Sequence, residues 1–186
     1  MSLISVSSLT KSFGAFDLFS NLTFSSTTGS PTVTTQSCAT CGVTVSGTLL
    51  VSKTAMSGVA VELVAGDKTW TLSNSNSANP FDADQKAGVL TPGTSTFIYT
   101  GNNGAGNVTI EDSGFNHLQF TPGSAEIYVT EGTMTVNGNL QVNTNATLTM
   151  DNFALTVTGT STVNGTVNTL TGSTCTRSFT GDITIN

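Results

Sequence analysis

The sequence predicts an all-β protein of stacked β-solenoid coils with a sandwich-like (Ig-like) portion beside them. Three observations point there. First, apolar residues recur on a period of two, as in Val43-Thr44-Val45, Val59-Ala60-Val61-Glu62-Leu63, Ile127-Tyr128-Val129, Leu148-Thr149-Met150 and Leu155-Thr156-Val157. Successive strand residues point to opposite faces, so each such segment buries one face and hydrates the other. Second, the phrase Met134-Thr135-Val136-Asn137-Gly138-Asn139-Leu140-Gln141-Val142 returns 21 residues later as Leu155-Thr156-Val157-Thr158-Gly159-Thr160-Ser161-Thr162-Val163. Strand, polar residue, glycine, strand at a spacing of about 20 residues is what one solenoid coil requires, and coils that cannot bury their own apolar face must stack. Third, 36 residues are Thr, whose branching at Cβ favours strands.

In chain order, residues 1–16 read as an N-terminal arm. Leu3-Ile4-Ser5-Val6-Ser7-Ser8-Leu9 is strand-like and free of proline, and the alternation slips by one before Leu9. Such a segment is expected to lie along an open sheet edge, its own or a neighbour's, because an edge presents a row of unpaired backbone groups. Donated to a second copy, it would complete the fold, with Leu3, Ile4, Val6 and Leu9 as the subunit contact. Residues 17–103 read as the sandwich-like part, because their strands (near Val59–Val64, Thr69–Leu72 and Phe97–Thr100) are separated by longer loops. Residues 104–186 read as the solenoid-like repeat part. Two further matches tie the halves together. Phe19-Ser20-Asn21-Leu22-Thr23-Phe24 and Phe115-Asn116-His117-Leu118-Gln119-Phe120 share F-x-x-L-x-F, and Val43–Val51 matches Met134–Val142. The glycine of each strand-to-strand phrase is expected at a corner with positive φ.

Composition bounds the function. Thr, Ser, Gly and Asn supply 93 of 186 residues, while charged residues are only 9% and hydrophobic ones 37%. The apolar fraction and its periodicity exclude a disordered chain. Five Lys+Arg against 11 Asp+Glu, net −6, leave nothing to neutralise a phosphate backbone, so nucleic acid is excluded as a partner. No apolar run is long enough for a membrane-spanning helix. Met1–Phe16 lacks the basic and apolar regions of a signal peptide. A surface of hydroxyls and amides in place of ions suits an extracellular or cell-surface protein.

Residues that carry chemistry are few. Cys38 and Cys41 form a lone Cys-x-x-Cys, and zinc would need two more ligands where only Cys175 and His117 exist. A local disulfide of Cys38 with Cys41, or a loop disulfide involving Cys175, is the expectation. His117 lies between buried positions and reads as a hydrated strand residue. Glu111-Asp112 and Asp82/Asp84 are the acidic pairs, the latter able to share a calcium ion with loop carbonyls only in a fuller loop than this one. Trp70, Tyr99 and Tyr128 could stack on a sugar. Thr133/Thr135, Thr147/Thr149, Thr156/Thr158 and Thr160/Thr162 would form an ice-binding hydroxyl lattice if all shared one face. Asn21, Asn107, Asn145 and Asn164 head Asn-x-Ser/Thr triplets and are glycosylation candidates. No catalytic residue, metal or cofactor is assigned.

The text Thr135–Val142 and Leu155–Thr160 resembles the phrases of secreted bacterial and archaeal β-strand-repeat surface proteins, over less than half the chain. That resemblance implies an adhesin, a surface-layer component or a subunit of an extracellular filament. The expectation is therefore a non-enzymatic structural glycoprotein that assembles with copies of itself by strand addition, with glycans as further partners. The alternative is a monomeric adhesin or a carbohydrate- or ice-binding solenoid module.

Overall fold

The computed structural model describes residues 22–26, 32–34, 42–53, 62–74, 79–82, 90–104, 106–111, 113–168 and 175–186. Every described element is a strand, and the strands recur in threes. The first three turns are β1 (Leu22–Ser26), β2 (Thr32–Thr34), β3 (Gly42–Val45); β4 (Leu49–Lys53), β5 (Glu62–Val64), β6 (Thr69–Leu72); and β7 (Phe81–Asp82), β8 (Leu90–Thr91), β9 (Thr96–Tyr99). Four more follow: β10 (Val108–Ile110), β11 (Gly114–Phe115), β12 (His117–Phe120); β13 (Glu126–Thr130), β14 (Met134–Val136), β15 (Leu140–Val142); β16 (Ala146–Thr149), β17 (Leu155–Val157), β18 (Ser161–Val163); and β19 (Thr166–Asn168), β20 (Arg177–Phe179), β21 (Ile183–Ile185).

Each third strand joins one parallel seven-stranded sheet, ordered β21-β18-β15-β12-β9-β6-β3. The other two positions form the sheets β1-β4-β7 and β2-β5-β8 in the first turns, and β10-β13-β16-β19 and β11-β14-β17-β20 in the last four. The chain is thus a parallel β-solenoid. The register sets the turn length: Val43, Trp70 and Phe97 pair in succession at steps of 27 residues, then Phe97, Leu118, Leu140 and Ser161 at steps of 21, 22 and 21.

That register corrects the expected sandwich-like part. The described strands of 17–103 pair in parallel, and β3, β6 and β9 enter the same sheet as β12 and β15. Their irregular sequence spacing comes from longer corners between strands, not from a change of architecture. A second correction concerns the repeats. Met134–Val142 and Leu155–Val163 are true equivalents, because β14 pairs β17 and β15 pairs β18. The matching Val43–Val51 instead turns from β3 in the seven-stranded sheet into β4, one face out of phase. Likewise Leu22–Phe24 lies in β1 and Leu118–Phe120 in β12, on different sheets. Any corner between two strands yields the same text.

Alternation fills the interior. Val45, Met134, Val136, Leu155 and Val157 are fully buried as expected, and Val43 is half-buried against them. Rings occupy the wide turns and the first narrow ones. Trp70 stacks on its register partner Phe97 at 5.8 Å with planes 6° apart, and Phe97 meets Phe115 edge-on at 5.3 Å. Tyr99, Phe120 and Tyr128 form a second group, with 4.7 Å between the last two. Offset and edge-on contacts of this kind contribute beyond their buried area. From Met134 onward Met, Val, Leu and Ala line the core. Polar atoms within are mostly satisfied: Trp70 Nε1 donates to the Ala65 carbonyl at 3.3 Å and the Tyr128 hydroxyl to the Gly101 carbonyl at 3.1 Å.

The repeated glycines are required by close approach rather than by φ. Positive φ occurs at Gly66, Gly93 and Gly104, not at Gly138 or Gly159. A Cβ at Gly138 would stand 2.6 Å from His117 Nδ1 and 2.9 Å from the Asn116 carbonyl oxygen. At Gly159 it would stand 2.5 Å from the Gly138 oxygen, and at Gly181 2.4 Å from the Gly159 oxygen. Consecutive turns therefore touch backbone to backbone along a glycine column at this corner.

Two outcomes follow. Val136→Asp should cost roughly 3–5 kcal/mol, because it leaves an unpaired charge in an apolar interior. Its outward neighbour Thr135→Asp should cost under about 1 kcal/mol, and paired thermal denaturation checks the contrast. The second outcome concerns the two tyrosines. Burial, with lesser contributions from Glu111, Tyr128 and Glu131, holds the Tyr99 phenol well above its usual range, and burial then Glu126 raises Tyr128. A folded pKa above the unfolded value of about 10 means the fold holds protons that the unfolded chain releases, so stability falls as pH rises past that value. Spectrophotometric titration should show tyrosinate appearing late, together with loss of β circular dichroism.

Candidate functional surfaces

The outward residues of the seven-stranded sheet form columns, because register pairs one turn's residue with the next. One column reads Thr44, Thr71, Ile98, Gln119, Gln141, Thr162, Thr184 across all seven strands and carries no charge. Beside it run Gly42, Thr69, Thr96 and His117. A third column extends the ladder one residue past the strands: the amides of Ser73, Thr100, Thr121, Asn143, Asn164 and Asn186 each donate to a carbonyl of the preceding turn. Side chains tie these rungs together. Asn139 N–H donates to His117 Nδ1 at 2.9 Å, and Thr160 N–H to Asn139 Oδ1 at 3.0 Å. Asn186 Nδ2 donates to Asn164 Oδ1, and Gln141 Nε2 to Asn143 Oδ1, both at 2.7 Å. His117 thus acts as a rung of the ladder, half-buried on β12, with its Nδ1 committed to a backbone amide.

The Thr-x-Thr pairs do not share a face. Thr147/Thr149 lie on β16, Thr162 on β18, and Thr135 and Thr156 on the register-paired β14 and β17. The only large apolar side chain exposed along a flank of the described residues is Ile127, at 44%. Trp70, Tyr99 and Tyr128 are buried, so none offers a ring to a sugar. Cations are engaged: Lys68 is buried against Asp67 at 2.8 Å, and Arg177 donates through Nη1 to the Cys175 carbonyl (3.0 Å) and Nη2 to that of Asp151 (3.2 Å).

The expected site residues separate accordingly. Leu3, Ile4, Val6, Leu9, Asn21, Cys38 and Cys41 lie outside the described residues, as do Asp84 and Asp112. Cys175 is half-buried, with its thiol donating to the Asn152 carbonyl. Asp82 is half-buried in β7, and Glu111 is buried beside β10. Among the described residues no three His, Cys, Asp or Glu side chains converge to hold a metal. Asn107, Asn145 and Asn164 are exposed, each just before a strand of the β10-β13-β16-β19 sheet. Asn145 takes φ 73°, and Asn145 and Asn164 fall on adjacent rungs, two residues before the pair Thr147 and Thr166. Asparagine tolerates such a corner, and two residues on an outward Thr follows, so the triplet arises from the corner's own chemistry.

What sequence reasoning missed is the C-terminal edge. In β21, Ile183 is 50% and Ile185 75% exposed, and in the same turn Val167 and Phe179 are only partly covered. These residues occupy the inward columns: Ile183 continues Leu140 and Ser161, and Ile185 continues Val142 and Val163. Alternating Ile-Thr-Ile was the available signal. No protein family, curated protein or solved structure matches the chain.

Proposed function

We propose that the chain is a non-enzymatic structural protein, extracellular or cell-surface, whose solenoid assembles with copies of itself into a fibre. The carrying observation is the β21 edge, where inward-column isoleucines stand half or more exposed beside an unpaired strand. A strand edge with apolar side chains in the core register is a template for another strand. Charge supports the same reading, because a surface with 9% charged residues offers little repulsion between copies. Strand addition by the arm carrying Leu3, Ile4, Val6 and Leu9 is one route to that assembly, and glycans on Asn21, Asn107, Asn145 or Asn164 would decorate it.

A second reading, a monomeric adhesin or ice-binding module, is favoured by the uncharged column Thr44 to Thr184, which is regular enough to face an ordered surface. The two separate in one experiment. Sedimentation velocity over a hundredfold concentration range, with negative-stain imaging, should show growth into unbranched rods. A monomer at every concentration removes the assembly reading, and slowed ice-crystal growth by that monomer would establish the second.

A further inference from the structure

We propose that copies stack head to tail in register, β21 of one copy pairing in parallel with β3 of the next, so that the seven-stranded sheet continues across the junction. This inference rests on the assembly reading above and names its interface. Among the described residues β3 and β21 are the two terminal strands of one sheet. Their sequences belong to the same columns. Val43 and Val45 begin the two inward columns that Ile183 and Ile185 end, and Thr44 begins the outward column that Thr184 ends. Laying β21 on β3 therefore places Ile on Val twice and Thr on Thr once, which is the pairing pattern found inside the sheet.

Internal contacts set the precedent. Every registered strand pair in the molecule is parallel, and each turn covers the inward face of the one before. Leu140, one turn short of the end, is buried, and Val163, covered on one side by the last turn, is 9% exposed, against 75% for Ile185. Exposure thus rises where the covering turn is missing, and a first turn of the same period supplies it. At that edge Gly42 is exposed and Val43 half-buried, which leaves room for an incoming strand. A head-to-tail contact of this kind repeats without closing and gives a filament. The rival is a two-fold pairing of β21 with itself, since Ile183-Thr184-Ile185 reads alike in both directions.

Cysteine pairs decide between them. In a background with Cys38, Cys41 and Cys175 replaced by Ser, Thr44→Cys and Thr184→Cys are made separately and together. Facing residues on neighbouring strands lie about 4.8 Å apart, within disulfide reach. Under mild oxidation the mixed single variants should give covalent dimers, and the double variant a ladder of covalent oligomers. Each single variant alone should give none. Ile185→Lys, at a position already largely exposed, should keep the β circular dichroism of the parent while weakening assembly at least tenfold. Dimers from Thr184→Cys alone would establish the two-fold contact and overturn the proposal. Rods that form without any Thr44–Thr184 crosslink would also overturn it, while leaving the assembly reading intact. A monomer in every background would remove both.

Discussion

The in-register ladder between successive turns is the constraint on which the rest of the molecule depends. No turn closes a core by itself: a strand such as β14 buries Met134 and Val136 only because β11 and β17 lie on either side of it. Backbone hydrogen bonding and apolar burial are thereby the same event. It repeats along the seven-stranded sheet from β3 to β21, with contacts to nearest neighbours alone. Features that look like separate specialisations are consequences of this ladder. Glycines at 138, 159 and 181 keep the turns in contact, and His117 and Asn139 supply side-chain acceptors where the strand ladder gives way to the corner.

A one-dimensional fold has ends, and its ends differ from its middle in a way that globular domains avoid. The interior turns surround Trp70, Phe97 and Tyr128 with neighbours on both sides, whereas the turn of β19, β20 and β21 has them on one. Its strands carry the same alternation as the interior ones and no ionised side chain in the inward columns of the seven-stranded sheet. A surface designed to remain solvated would place charge there. Here Ile183 and Ile185 keep the core chemistry, and this links fold to function: the property that stabilises each turn is still on offer at the edge.

Legibility in the sequence followed the same physics. The strands of 104–186 were readable because their turns are 21 or 22 residues long and corners short, so period-two alternation and the 21-residue repeat reinforce each other. The region to residue 103 was misread because its 27-residue turns interpose long corners, which hid that Val43, Trp70 and Phe97 are successive rungs of one column. Periodicity predicts which residues point inward, but not which face a strand joins. Hence the Val43–Val51 phrase looked equivalent to Met134–Val142 while sitting one face away. The candidate surface was harder still, since no residue type at Ile183 or Ile185 distinguishes a covered strand from an uncovered one.

The central claim is that the ladder runs in register through the irregular half as well as the regular one. Its most direct test is a pair of intramolecular disulfides in the background with Cys38, Cys41 and Cys175 replaced by Ser. Thr71→Cys with Ile98→Cys probes the pairing of β6 with β9, and Gln119→Cys with Gln141→Cys that of β12 with β15. The ladder predicts that both pairs close on oxidation in the monomer, with the fold retained. Closure of the glutamine-site pair while the Thr71–Ile98 pair stays reduced would contradict it, and would return residues up to 103 to a separate architecture.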